Sequence, residues 1–214
     1  MKVMAVNGSP RKRWNTALLL ESALEGAASH GAETELVHLH DLDFRGCSSC
    51  FACKLKLGES YGHCAQTDDL TPVLTMVEDV DALILGSPIY FGSVTGEMRS
   101  FMERLLFPCL AYSAPPRALF PEKIHVGCIY TMNMASAEEM QTRGVAAHLA
   151  AGERTLGMIF GDCEALHSFD TLQFSDYTTV VSDLFDAAHK AQRREQEFPK
   201  DRDKAFALGA RLAR

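Results

Sequence analysis

Apolar residues follow two rhythms along this chain. Apolar runs at Val3–Val6, Ala82–Gly86 and Ile124–Tyr130 read as strands, Ala82–Gly86 continuously apolar as fully buried parallel strands tend to be. Glu33–Leu39 reads as a second strand in chain order and Cys163–Leu172 as a fifth. Between the strands the apolar positions recur every three or four residues. Ala17, Leu20, Ala23, Leu24, Ala27 and Ala28 mark a helix over Thr16–His30, with Asn15 or Thr16 as its cap. Leu70–Val77 continues the helical rhythm. Met98, Phe101, Met102, Leu105 and Leu106 form an amphipathic stripe on a helix that begins near Thr95. Glu138–Phe160 is mostly helical, with Gly144, Gly152 and Gly157 blurring its limits. The tail from Thr179 to Arg214 is charged and helical in two pieces, broken near Phe198-Pro199. Strands alternate with helices, which predicts an α/β fold around a parallel sheet. A single domain over 1–214 accommodates all of it, with a cysteine-rich loop at 45–64 and C-terminal helices at about 179–214.

Composition narrows the class. Of 214 residues, 47% are hydrophobic and 23% charged, the balance of a globular protein rather than a disordered or coiled-coil chain. No apolar run approaches membrane-spanning length, and the N-terminus lacks a signal-peptide core, so a cytoplasmic location is expected. Twenty-one Lys and Arg face 28 Asp and Glu, a net charge of −7 that disfavours nucleic acid as a partner.

In an open parallel sheet, ligands bind beyond the carboxyl ends of the strands. Three loops occupy that position. Asn7-Gly8-Ser9-Pro10-Arg11-Lys12-Arg13-Trp14-Asn15-Thr16 joins the first strand to the first helix. A helix start offers unpaired N–H groups and the positive end of a dipole. Ser9, Asn15 and Thr16 add donors, and Arg11 adds a charge that forks onto phosphate. The pattern is neither Gly-x-Gly-x-x-Gly nor a Gly-Lys-Ser/Thr P-loop. An ordinary Ser/Pro turn with exposed charges is the bland alternative. Ser87-Pro88-Ile89-Tyr90-Phe91-Gly92-Ser93 follows the third strand and offers an aromatic pair and backbone amides to a planar ring, or simply a packed turn. Thr131-Met132-Asn133 follows the fourth strand and supplies a further wall.

The loops after the first and third strands, with Asn-Thr opening the first helix, resemble the flavodoxin-like NAD(P)H-dependent FMN reductase family. Gly46-Cys47-Ser48-Ser49-Cys50-Phe51-Ala52-Cys53, the later Cys64 and Thr67-Asp68-Asp69-Leu70 resemble its iron–sulfur flavoprotein branch. The resemblance covers most of residues 1 to 110 and the rest more loosely. It implies a five-stranded sheet of order 2-1-3-4-5, bound FMN, NAD(P)H as co-substrate, and homodimers or homotetramers. Carried onto matching positions, Ser9, Arg11, Asn15 and Thr16 hold the FMN phosphate. Pro88, Ile89, Tyr90, Phe91 and Gly92 cradle the isoalloxazine ring, and Thr131, Met132 and Asn133 match the loop after the fourth strand. The family supplies no obvious acid–base residue, because the redox chemistry belongs to the flavin.

Four of the seven cysteines, Cys47, Cys50, Cys53 and Cys64, fall in Cys-x2-Cys-x2-Cys-x10-Cys spacing. Thiolates so close in sequence can surround a [4Fe–4S] cluster. The final gap is longer than in the branch it resembles. Zinc, a redox-sensitive thiol patch and a loop without metal compete with the cluster. His63 reads as a surface histidine, and Cys109, Cys128 and Cys163 as buried free thiols. Two functions stand out. One is an FMN oxidoreductase passing electrons from NAD(P)H to a quinone, another small acceptor or oxygen. The other is an iron–sulfur flavoprotein relaying single electrons between a ferredoxin-like partner and FMN. A non-enzymatic FMN-binding or redox-sensing protein is a third.

Overall fold

The computed structural model describes residues 1–214. Along the chain come β1 (Lys2–Asn7), α1 (Asn15–Ala28), β2 (Glu33–His38), α2 (Leu70–Val77), β3 (Ala82–Pro88) and α3 (Gly96–Leu106). A short antiparallel ribbon follows, β4 (Leu110–Ala111) with β5 (Arg117–Ala118). Then come β6 (Ile124–Thr131), α4 (Ala137–Thr142), α5 (Val145–Phe160), β7 (Gly161–Ser168), α6 (Ala187–Gln196) and α7 (Phe198–Leu212). The five parallel strands of the sheet lie in the order β2-β1-β3-β6-β7. Leaving out the ribbon, this is the flavodoxin-like order 2-1-3-4-5.

The strand pleat sends alternate residues to opposite faces, which makes three layers. Val3, Ala5, Ala82, Ile84 and Ile129 pack with Leu19, Leu20, Ala23 and Leu208 of α1 and α7. Met4, Val6, Leu83, Leu85, Val126 and Tyr130 pack with Val73, Phe101, Leu149 and Leu156 of α2, α3 and α5. The helices α1 and α7 touch through glycine. A Cβ on Gly209 would lie 1.7 Å from the Ala23 carbonyl oxygen, and one on Gly26 would lie 2.0 Å from that of Phe206. Only bare backbone fits this crossing.

Several boundaries differ from the sequence expectation. The single helix expected over Glu138–Phe160 is two, because Gly144 at φ +73° breaks it, whereas Gly152 and Gly157 stay inside α5. The strand expected to reach Leu172 leaves the sheet after Ser168, where its partner β6 ends at Thr131. The tail is irregular from Val180 to Phe185. Helix α6 starts at Ala187, where the Asp186 carboxylate accepts from the Ala188 and His189 amides. The cysteine loop holds one short helical turn, Ala52–Lys54. No helix is long and apolar enough to cross a membrane.

Candidate cofactor site

The carboxyl ends of β1, β3 and β6 open into one cleft. The loop after β1 is shaped by Asn7, which is fully buried. Its Oδ1 accepts from the Ser9 amide at 2.9 Å and its Nδ2 meets His38 Nδ1 at 2.9 Å. Gly8 is pressed against α3, and a Cβ there would lie 2.8 Å from Met98 Cβ. The Thr95 hydroxyl donates to the Gly8 carbonyl at 2.7 Å while it caps α3 by accepting from the Met98 amide. Thr95 thereby ties the first loop to the loop after β3.

Helix α1 opens without a side-chain cap. The amides of Asn15, Thr16 and Ala17 have no protein acceptor, as the first turn of a helix requires when nothing caps it. Arg11 is the one charged residue lining the cleft, and no carboxylate faces into it. Open amides, the helix dipole and a guanidinium together fit a phosphate. The FMN implied by the resemblance thus finds donors suited to its phosphate.

Ten of the twelve expected cofactor residues line this cleft: Ser9, Arg11, Asn15, Thr16, Pro88, Ile89, Tyr90, Thr131, Met132 and Asn133. The hydroxyls of Thr16 and Thr131 are 2.8 Å apart and join two of the loops. Phe91 and Gly92 do not line it. They form the tip of a tight turn, with reciprocal backbone bonds between Tyr90 and Ser93 at 2.8 and 3.0 Å. Both tip residues have positive φ, +50° and +82°. That geometry suits glycine and is strained for phenylalanine. The Phe91 side chain is fully exposed, and the amides of Phe91 and Gly92 have no protein acceptor.

The cleft also holds residues the sequence reasoning missed. After β7 the chain crosses the cleft as a strap, Thr171–Phe174. The Leu172 carbonyl accepts from Trp14 Nε1 at 3.0 Å and Asn15 Nδ2 at 2.7 Å, and the Gln173 carbonyl accepts from Arg11. Helix α6 supplies two cations behind the wall. Arg194 donates to Asn15 Oδ1 at 2.8 Å. Lys190 is buried, donates to Asn133 Oδ1 at 2.6 Å and pairs with Asp170. A cation only donates, so each fixes its amide with the oxygen toward α6; the Asn133 NH₂ group stays free, whereas that of Asn15 gives one N–H to the Leu172 carbonyl and keeps the other. Lys190 and Arg194 are four apart on one helix face, a spacing that was readable in the sequence.

The cysteine loop lies elsewhere, against the C-terminal half of α3. Cys47 and Cys64 are half-buried, Cys50 is exposed and Cys53 is buried. Burial, and then the charges of Cys47 and Cys50, push the Cys53 thiol up against the opposing pull of Lys54. Cys64 is engaged separately: its sulfur accepts from the buried Arg104 guanidinium at 3.1 Å. No three His, Cys, Asp or Glu side chains converge tightly enough to hold a metal ion. As placed, the four thiols do not form a cluster cage. His63 is exposed and pairs with Glu78.

Comparison with known proteins agrees with this geometry. Residues 1–157 match the family model for NADPH-dependent FMN reductase. An iron–sulfur flavoprotein of Archaeoglobus fulgidus is 43% identical over 104 residues, covering 49% of this chain and 48% of that protein. An iron–sulfur flavoprotein of Methanocaldococcus jannaschii is 39% identical over 104 residues, 49% of this chain and 51% of that one. The chain spans about half the length of the curated relatives it matches. In structure it is similar to an NAD(P)H:quinone oxidoreductase from Methanothermobacter marburgensis, with a TM-score of 0.69 at 15% identity over 99% of this chain and 98% of that one. An FMN-dependent NADH-azoreductase from Bacillus anthracis, solved with FMN, gives 0.66 at 11% identity over the full length of both. With the family match running across the phosphate loop, the loop after β3 and β6, the chain belongs to the NADPH-dependent FMN reductase family.

Proposed function

We propose that the chain binds FMN in the cleft and passes electrons from NAD(P)H to a quinone, another small acceptor or oxygen. The observation that carries this is the uncapped head of α1, whose open amides face a cleft with one guanidinium and no carboxylate. Bound flavin supplies the two-electron chemistry, accepting reducing equivalents from a nicotinamide and returning them to the acceptor. The residues bind and orient. Ser9, Arg11, Asn15, Thr16 and the amides of α1 take the phosphate. Pro88, Ile89, Tyr90, Met132 and Asn133 would hold the ring. The open amides of Phe91 and Gly92 are donors for the ring's polar edge, so Phe91 acts through its backbone. Arg194 and Lys190 hold Asn15 and Asn133 in their donor orientation. No titrating group is assigned to the chemical step.

A second function has one support of its own: the relatives matched over half of this chain are named iron–sulfur flavoproteins. A cluster at Cys47, Cys50, Cys53 and Cys64, exchanging electrons with a ferredoxin-like partner, would need Cys64 to leave Arg104 and all four thiols to draw together. One anaerobic sample separates the two functions. Flavin bands without iron or sulfide, and NADH or NADPH oxidation that depends on an added quinone, support the reductase. Iron and sulfide in equal amounts beside flavin support the relay. A chain that neither retains nor takes up FMN contradicts both.

A further inference from the structure

Cys128 and Cys163 stand apart from both the cleft and the cysteine loop. They lie on neighbouring parallel strands, β6 and β7, offset by two positions, since Val126 faces Cys163 and Cys128 faces Ala165. Their sulfurs are 3.9 Å apart. Cys128 is 1% exposed, whereas Cys163 is half-buried. Strand β7 is the sheet's edge, bonded on one side alone. The helix above it leaves room: Gly157 of α5 stands over Cys163, and even a Cβ added there would stay 3.9 Å from Cys163 Cβ. A buried thiol thus meets a reachable one on the sheet's edge strand.

We propose that Cys128 and Cys163 are a dithiol–disulfide couple that hydroperoxides oxidise. The hydrogen bond between the two thiols favours this division of labour. It pulls the Cys163 thiol down, against its burial, and pushes the Cys128 thiol up together with burial. Cys163 is the attacking sulfur because the thiolate is the nucleophile and this one is within reach of solvent. Its sulfur attacks a peroxide oxygen, forming S–O as O–O breaks, and the departing oxygen takes a proton and leaves as water or an alcohol. The Cys128 sulfur then attacks the Cys163 sulfur and loses its proton. S–S forms, S–O breaks, and hydroxide leaves with that proton as water. Two thiols lose two electrons and two protons, and one hydrogen peroxide becomes two waters. Closure brings the sulfurs to about 2.05 Å, and because the pair is offset by two positions it asks β7 to slip along β6 at Cys163. A diagonal pair closed in this way is strained and readily reduced, as regulatory disulfides are.

The test is peptide mapping of the flavin-loaded full chain after graded hydrogen peroxide, alkylated and digested without reductant. Trypsin places the two cysteines in separate peptides with one cysteine each, Ile124–Arg143 and Thr155–Lys190. The expected product is these two joined, lighter by two hydrogens and separated by dithiothreitol. In Cys128→Ser, with the resolving sulfur removed, a sulfenic-acid trap should label Cys163. Recovery of both residues as alkylated thiols, at peroxide that oxidises Cys50, overturns the proposal. So does Cys163 recovered as sulfinic or sulfonic acid with no joined peptide. The wild-type result stands even if the variant does not fold.

Discussion

Arg194 Nη1 lies 2.8 Å from Asn15 Oδ1 and joins α6 to the head of α1 across 179 residues of chain. The same guanidinium stacks 4.1 Å from the centre of the Phe198 ring, which fixes its reach. Asn15 is buried, and with its oxygen held by Arg194 its NH₂ group turns to the strap and gives one N–H to the Leu172 carbonyl. Arg194→Met keeps the stem and removes that constraint. FMN binding should weaken by about three- to tenfold, the range of one intramolecular hydrogen bond, with circular dichroism unchanged. An unaltered dissociation constant would show that Asn15 needs no such support.

Arg104 organises the cysteine loop from α3. It is among the largest fully buried side chains and donates to Cys64 Sγ, to the Arg45 carbonyl at 3.1 Å, to the Gln66 carbonyl at 3.0 Å and to Asp68 Oδ2 at 2.5 Å. It therefore closes both ends of the loop. Arg104→Met leaves Asp68 without its cation and should cost about 3 kcal/mol, the low end for a broken buried pair because Asp68 is partly exposed. Urea unfolding measures this.

The same pair sets a pH dependence. Burial pushes the Asp68 carboxyl up, but the Arg104 hydrogen bond and charge, with backbone amides, outweigh it and hold the group below its usual value. A depressed carboxyl gives stability that is complete above its unfolded pKa, about 3.9, and is lost as pH falls through the folded value. The stability gap between wild type and Asp68→Asn should be full at neutral pH and shrink below about pH 4. A gap that is constant down to strong acid would mean Arg104 does not act through this charge.

Gly209→Ala tests the helix crossing. Its Cβ would land 1.7 Å from backbone oxygen, which no rotamer change relieves. The loss should be at least about 2 kcal/mol, despite the better helix propensity of alanine. Gly96→Ala is the control, since nothing lies within 4 Å of a Cβ there. Equal melting temperatures for the two variants would contradict the close approach.

The strands and the loops of the cleft were legible because each left a local mark, whereas the sheet order came from the family resemblance. Asn7-Gly8-Ser9-Pro10 sits between an apolar run and helical spacing, so the turn and the helix start both show. The strap was not legible. Leu166, Phe169 and Leu172 prolong the apolar punctuation of β7, but a strand needs a partner, and β6 stops pairing at Thr131. Where a neighbouring strand ends is not written in the strand beside it. The tail read only as charged and helical, yet Lys190 and Arg193 of α6 find Asp170 and Asp201. Phe91 was expected to offer its ring, whereas the paired positive φ values of Phe91 and Gly92 turn that ring into solvent. The spacing of the four loop cysteines was plain, but Arg104, forty residues beyond Cys64, competes for the last of them.

The measurement that bears most directly on the cleft compares FMN with riboflavin. Both carry the isoalloxazine ring, and only FMN carries the phosphate. The apo chain is titrated with each while flavin fluorescence is followed. Two or more charge-assisted contacts, each worth about 1.5–3 kcal/mol, should make FMN bind at least about 100-fold tighter, and Arg11→Ala should narrow that ratio. Equal affinity for the two flavins, or a ratio indifferent to Arg11, would contradict a phosphate seated at the head of α1.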